Sequence, residues 1–297
     1  MPEGKIIKAL SGFYYVLDDQ ESGKVVQCRA RGIFRKNKIT PLVGDYVVYQ
    51  ADNDKEGYLL EVKERTNELV RPPISNVDQA VLVFSAAEPT FSTSLLDRFL
   101  VLVEANHIEP IICITKMDLL KTDEERETIM AYADDYRQIG YEVHLTSTIE
   151  GDGIEKLTPH FHNKITVFAG QSGVGKSSLL NAMSPELALK TDDISSHLGR
   201  GKHTTRHVEL IRTADGLIAD TPGFSSLEFT GIEAEDLGLY FLDIRDRSAD
   251  CKFRGCLHVK EPGCAIKDAV EHDQIKEYRY QHYLEFLTEI KDRKPRY

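Results

Sequence analysis

Gly170-Gln171-Ser172-Gly173-Val174-Gly175-Lys176-Ser177 fits the pattern G-x-x-x-x-G-K-[ST]. Its glycines let backbone N–H groups curl round phosphate oxygens at a helix N-terminus, where the dipole also favours negative charge. Gln171, Ser172, Gly173, Val174 and Ser178 lie within or directly behind that loop. Lys176 would reach the β- and γ-phosphates as a catalytic cation, and the Ser177 hydroxyl would bind Mg2+. Chance supplies this pattern roughly once per hundred chains of this length. An apolar run over 165–169 precedes it and helix-forming residues follow, so the context is strand, loop, helix. An ordinary Gly-rich turn is the alternative.

Asp220-Thr221-Pro222-Gly223 follows a second apolar run, over 217–219. A carboxylate at a strand end can hold a magnesium water, while the Gly223 N–H can bond a γ-phosphate and so sense its loss. By itself D-x-x-G is usually a turn; behind a phosphate loop it carries weight. Thr115-Lys116-Met117-Asp118 ends another apolar run and resembles N-K-x-D. In that motif the Asp carboxylate accepts from two N–H donors on the Watson–Crick edge of guanine, and the Lys stem packs on the base. A site built to satisfy such bonds rejects an analogue lacking them by a factor on the order of 10,000. Asp118 therefore points to GTP and GDP, not ATP. Thr115 stands where the pattern has Asn, which leaves the bridging role of that position open. Ser147, at the end of the next strand, falls where a backbone N–H meets the guanine carbonyl.

Cys251-x4-Cys256-x-His258-x5-Cys264 sets three thiols and one imidazole close together. Four S/N ligands with no open position describe one structural Zn2+. Buried free thiols beside a surface histidine are the alternative. Cys28 and Cys113 lie in apolar runs and read as core residues.

Between phosphate loop and D-x-x-G lies Gly199-Arg200-Gly201-Lys202-His203-Thr204-Thr205-Arg206. A threonine here can complete the Mg2+ shell in the triphosphate state and release the loop after hydrolysis. Thr205 is preferred to Thr204 because it directly precedes the strand expected over 207–212. Mg2+ would thus be held by Ser177, Thr205 and Asp220. Phe224 follows Gly223, where many GTP hydrolases place a glutamine that positions the attacking water. A phenyl ring has no donor or acceptor for that water, so intrinsic hydrolysis should be slow. His203 is the candidate replacement, since imidazole can orient a water or act as general base. A solvated or RNA-contacting loop histidine is the other reading.

The base motif at 115–118 and Ser147 precede the phosphate loop, reversing the usual order. Such a cut elsewhere in the cycle is permissible because domain termini often lie close together. This order, with a β-rich segment before it and a Cys/His segment after it, resembles the RsgA family of circularly permuted bacterial GTPases. The resemblance covers essentially the whole chain. It implies GTP hydrolysis during late maturation of the small ribosomal subunit, stimulated by that subunit, and contact with its rRNA. It further implies a zinc site on Cys251, Cys256, His258 and Cys264, and a first switch in the G-[RK]-H-T-T segment. A reading from another class is a nucleotide-gated RNA-binding adaptor with negligible hydrolysis.

The elements that must position these residues fall into three parts. Residues 1–71 alternate short β-type runs (13–17, 25–30, 46–50, 58–62) with Gly-, Asn- and Asp-containing turns. That spacing predicts a small β-barrel; a basic second strand suits an oligonucleotide-binding (OB) barrel, and a purely structural barrel is the alternative. Residues 72–229 alternate apolar strands with helical periods, predicting a parallel sheet covered by helices. Leu95, Leu96, Phe99, Leu102 and Val103 should face inward from a helix over 94–105. Residues 230–297 carry the Cys/His cluster and a long helix expected over 265–291. The fold class is multidomain α/β: OB-type barrel, permuted phosphate-loop GTPase domain, zinc-binding helical module.

The net charge of -11 argues against a nucleic-acid partner, but its distribution tempers that. Residues 1–75 hold 12 basic and 11 acidic residues, with Arg29, Arg31, Arg35, Lys36 and Lys38 close together. Arg200, Lys202, Arg206 and Arg212, and the terminal Lys291, Arg293, Lys294 and Arg296, form further clusters. Such runs are often only solvated faces. No apolar run is long enough for a bilayer, and the polar start Met-Pro-Glu-Gly-Lys lacks the features of a signal peptide. A cytoplasmic monomer with no membrane partner is expected.

Overall fold

The computed structural model describes residues 1–183, 208–213, 216–219, 224 and 227–293. Five strands close the N-terminal barrel: β1 (Glu3–Leu10), β2 (Phe13–Asp18), β3 (Val25–Ala30), β4 (Tyr46–Ala51) and β5 (Gly57–Val62), in the order β1-β2-β3-β5-β4. All neighbours are antiparallel except β3 and β5. Alternate residues point inward, so Ile6, Val16, Val26, Cys28, Val47, Tyr49 and Leu59 fill the interior. The short helix α1 (Gly32–Lys36) is anchored by buried Phe34. β1 carries no clear alternation and escapes the sequence reading, so the basic strand counted second is in fact β3. A hairpin of β6 (Glu68–Val70) and β7 (Pro73–Ser75) follows, and the boundary read at 71/72 falls inside its turn.

The second sheet contains β8 (Gln79–Ser85), β9 (Glu109–Thr115), β10 (Glu142–Leu145), β11 (Ile165–Ala169), β12 (Leu210–Arg212) and β13 (Leu217–Ala219). Its order is β10-β9-β8-β11-β13-β12, parallel throughout except that β12 runs antiparallel to β13. Every residue of β8 is buried, because both faces are covered. Val81, Val83, Ile111, Cys113 and Phe168 pack on one face with Leu157, Phe161, Leu179 and Leu180. Leu82, Phe84, Ile112, Ile114 and Val167 join the larger core on the other. Cys28 and Cys113 are core residues, as their sequence setting predicts.

The helices start and stop where local chemistry dictates. α2 (Thr93–Ala105) begins at Ser92, whose hydroxyl accepts from the Leu95 N–H. α3 (Asp123–Ile139) has a full capping box of Thr122 and Glu125 and ends on Gly140 at φ 115°. Around the phosphate loop lie α4 (Ile154–Leu157) and α5 (Lys176–Met183). Leu95 is only half-buried, whereas Asp97, Leu100 and Val101 are buried too, because α2 is covered on a second side.

That second cover is the C-terminal region: α6 (Leu242–Arg245), α7 (Ala265–Glu271) and α8 (Glu277–Asp292). The single helix expected over 265–291 is two, since the chain turns at Asp273 with φ 54° before α8 begins. α8 docks on α2 through a buried cluster. Arg279, 1 % exposed, pairs with Asp97 and with Asp243, while Tyr136 and His282 also bond Asp97. On the surface Arg98 bonds Glu289 and lies 4.7 Å above the Phe286 ring. No described helix is long and apolar enough to cross a membrane.

Candidate nucleotide site and metal centre

The phosphate loop leaves the C-terminal end of β11 and enters α5, which starts at Lys176. Gly170, Gly173 and Gly175 have φ of 139°, 82° and 98°, values that side chains with a Cβ rarely adopt. At Gly170 space is decisive as well: a Cβ would stand 2.1 Å from the Val83 carbonyl oxygen in β8. Gln171, Ser172 and Gly173 are exposed, Ser177 half-buried and Ser178 exposed. Val174 is buried and pins the loop to the core. Lys176 is 7 % exposed; its Nζ donates to the carbonyls of Gly170 (2.9 Å) and Gln171 (2.6 Å). Burial holds its ammonium below the usual lysine range, so an anionic ligand would be met by a cation already short of water.

Thr115, Lys116, Asp118 and Ser147 gather at the same edge of the sheet, on the loops leaving β9 and β10. Thr115 Oγ1 lies 3.1 Å from the Phe84 carbonyl and within hydrogen-bond reach of the Val174 carbonyl. The hydroxyl thus supplies the bridge to the phosphate loop that the missing Asn left open. Lys116 sits at φ 61°, and its Nζ reaches the carbonyls of Glu88 (2.6 Å) and Gly173 (2.7 Å). Its stem lies across the mouth between base motif and phosphate loop. Asp118 Oδ1 accepts from the Ser147 hydroxyl at 2.7 Å. The Ser147 N–H, expected to face a guanine carbonyl, is engaged by the Asp152 carbonyl at 3.1 Å. Ser147 therefore orients Asp118 through its side chain.

Phe224 is buried in the main core with φ 56°. Its ring packs inward and offers nothing to a water, as the sequence implied. His203, Thr205, Asp220 and Gly223 lie outside the described residues.

Cys251, Cys256, His258 and Cys264 converge, with their ligand atoms within 4.8 Å of one another. Sγ of Cys251 and of Cys264 lie 4.0 Å apart, and each is near His258 Nδ1, at 3.6 Å and 3.4 Å. A tetrahedral zinc with ordinary bond lengths has edges of about 3.8 Å between sulfurs and about 3.6 Å from sulfur to nitrogen. The donor set fits. His258, with φ 59°, turns Nδ1 inward, and its Nε2 lies 3.4 Å from the Ser248 hydroxyl, which itself bonds the Ile244 carbonyl. Such an outer partner fixes the ring that a metal needs. Burial pushes the His258 imidazole down, toward the neutral form that coordinates.

Partners invisible to motif reading complete this module. The Glu261 carboxylate accepts from the N–H groups of Leu257, Val259 and Lys260. Burial alone would raise it, but these donors hold it down at about 2. Tyr280 and Tyr283 of α8 donate to the carbonyls of His258 and Leu257. The cluster is thereby tied to the helix that also carries Arg279. No spacing rule marks Ser248, Glu261 or the two tyrosines, because their partners are brought together only by the turn.

Comparison with known proteins agrees with this arrangement. The family model described as RsgA GTPase matches residues 62–230, and that described as RsgA N-terminal domain matches residues 3–59. The chain is 99 % identical, over the full length of both, to the small ribosomal subunit biogenesis GTPase RsgA of Bacillus pumilus. The crystal structure of YloQ, a circularly permuted GTPase, is 70 % identical with a TM-score of 0.89, covering 100 % of this chain and 97 % of that one. The crystal structure of YjeQ from Thermotoga maritima is 36 % identical with a TM-score of 0.88, covering 99 % of each. The overall fold is thus shared across a wide span of identity. This chain belongs to the RsgA GTPase family.

Proposed function

We propose that this protein is a GTP hydrolase that serves as a nucleotide switch in biogenesis of the small ribosomal subunit. The observation carrying this is the joining of the two halves of one site: Thr115 and Lys116, at the end of β9 and just ahead of Asp118, bond the Val174 and Gly173 carbonyls of the loop that follows β11. In a parallel sheet such ligands bind outside the carboxyl ends of the strands.

In this reading the loop amides hold the phosphates. Lys176 exchanges the carbonyls of Gly170 and Gln171 for phosphate oxygens, and so follows the charge that shifts during phosphoryl transfer. The carboxylate of Asp118, oriented by Ser147, accepts the guanine N–H pair. Mg2+, the usual companion of GTP, would be held by Ser177 together with Thr205 and Asp220, and neutralises phosphate charge when bound. His203 positions the attacking water, since Phe224 turns inward. One Zn2+ on Cys251, Cys256, His258 and Cys264 would hold the C-terminal module in shape. The three-part division 1–71, 72–229 and 230–297 is the working domain plan.

The partner would be the small subunit and its rRNA, met by the protein as a cytoplasmic monomer. Support comes from the barrel face. Arg29, Arg31, Arg35, Lys36 and Lys38 are all exposed. Arg29 pairs in register with Phe13 and Tyr58 on the flanking strands, and its guanidinium lies 4.7 Å above the Phe13 ring. A row of aromatic, arginine and aromatic side chains is suited to stacking unpaired bases. Multiple-turnover GTP hydrolysis with and without isolated small subunits is the test. A rate that rises with added small subunit, and not with large subunit, is expected; nucleotide-dependent association without turnover would favour the adaptor reading.

A further inference from the structure

A second cluster of side chains of metal-ligating type lies on β10, an edge strand of the central sheet. Glu142 and His144 are two apart on that strand and so share one face. The connection from β10 back to β11 crosses this face, and its 3-10 turn Thr158–Phe161 contributes His160. Glu142 Oε1 lies 3.2 Å from His144 Nε2 and 3.9 Å from His160 Nε2. The two imidazoles meet edge to face, 5.1 Å between centroids. All three ligand atoms fall within 4.8 Å of one another.

The telling atom is His144 Nε2. The side chain is only 7 % exposed, and Nε2 is buried without a well-aligned hydrogen-bond partner although a carboxylate stands beside it. A buried polar atom left so costs stability unless something completes it. We propose that Glu142, His144 and His160 form a second metal site, for a divalent transition ion such as Zn2+, distinct from the Cys3His centre. Two imidazoles and a carboxylate suit zinc and its neighbours, not magnesium or calcium, which take oxygen ligands. Ligand atoms bound to one zinc by N and O stand about 3.4 Å apart, so small rotations of Glu142 and His160 close the set. With three protein ligands the ion keeps open positions for water.

The site staples the edge strand to its own crossover. His144 lies two residues before Thr146, and Ser147 holds Asp118, so the stapled segment is the one that carries the loop beside the base motif. The metal therefore ties that loop to the crossover.

The test is metal titration of full-length protein whose Cys3His centre is already loaded with zinc. Added Co2+ is the probe, followed by its visible absorption and by metal content after gel filtration. A second equivalent, without the intense near-ultraviolet charge-transfer band of a cobalt–thiolate centre, is expected for the wild type. His160→Gln and Glu142→Gln should each lose that equivalent and retain the zinc already bound. Both residues are partly exposed, 31 % and 52 %, so folding is preserved in these variants. A wild-type protein that binds no second ion at micromolar free metal, or a His160→Gln variant that binds it undiminished, overturns the proposal.

Discussion

The Thr115 hydroxyl, at the end of β9, bonds the carbonyl oxygen of Val174 in the phosphate loop, 59 positions further along the chain. The loop after β9 and the phosphate loop are thus mechanically joined, although a threonine stands where N-K-x-D has asparagine. Thr115→Val keeps the shape and deletes the donor, leaving the Val174 carbonyl short of a partner. GTP and GDP affinity should both fall about five-fold, for a loss of about 1 kcal/mol. Equilibrium binding with a fluorescent guanine nucleotide measures this; unchanged affinity would mean the bridge is incidental.

Asp118→Asn turns a pure acceptor into a group that also donates. Two charge-assisted bonds to guanine are lost, so GTP affinity should drop on the order of 100-fold while xanthosine triphosphate gains. Ser147→Ala should have a smaller effect in the same assay, because it removes only the group that aims the carboxylate. No gain for the xanthine nucleotide would take Asp118 out of the base site.

Cys256→Ser should lower zinc content and loosen the segment 251–264 while leaving guanine nucleotide binding in place, since metal binding is folding free energy for a small module. Metal analysis and hydrogen exchange read the two effects separately. Wild-type protein purified without chelator and free of zinc would refute the structural-site reading.

The buried pair of Arg279 and Asp97 fastens the C-terminal module to α2. Arg279→Met leaves Asp97 charged beneath the surface, with Tyr136 and His282 as its remaining partners. A loss of about 3–5 kcal/mol is expected, read by chemical denaturation. Replacing Arg279, Asp97 and Asp243 together by apolar residues should cost much less than the single change, which separates an unpaired charge from lost packing.

His203→Ala should retain GTP binding and association with the small subunit in the GTP-analogue state, yet lose most subunit-stimulated hydrolysis, by about 100-fold or more. The protein would then stay on the subunit, detected by co-sedimentation. Loss of nucleotide binding would instead mark His203 as structural, and undiminished turnover would assign the water to another group.

What the sequence by itself determined was everything set by local pattern. The phosphate loop, the base motif, their reversed order and the Cys/His spacing are contiguous strings whose chemistry needs residues at fixed short separations. Helices and strands with strong periodicity, such as Asp123–Ile139 and Ile165–Ala169, were legible to the residue. The weakly alternating β1 was not, because its burial comes from barrel closure rather than from its own pattern.

Tertiary structure alone decided the relationships across long chain separations. That Thr115 bridges to Val174, that the Ser147 hydroxyl bonds Asp118, and that Glu142, His144 and His160 meet all depend on which loops the sheet order brings together. The fate of the C-terminal helix is the same lesson. Local propensity reads one helix over 265–291, but Arg279 must reach Asp97 while Tyr280 and Tyr283 bond the carbonyls of His258 and Leu257, and the turn at Asp273 satisfies both. A hydrogen bond or buried ion pair is a property of two surfaces, and only the fold chooses the second one.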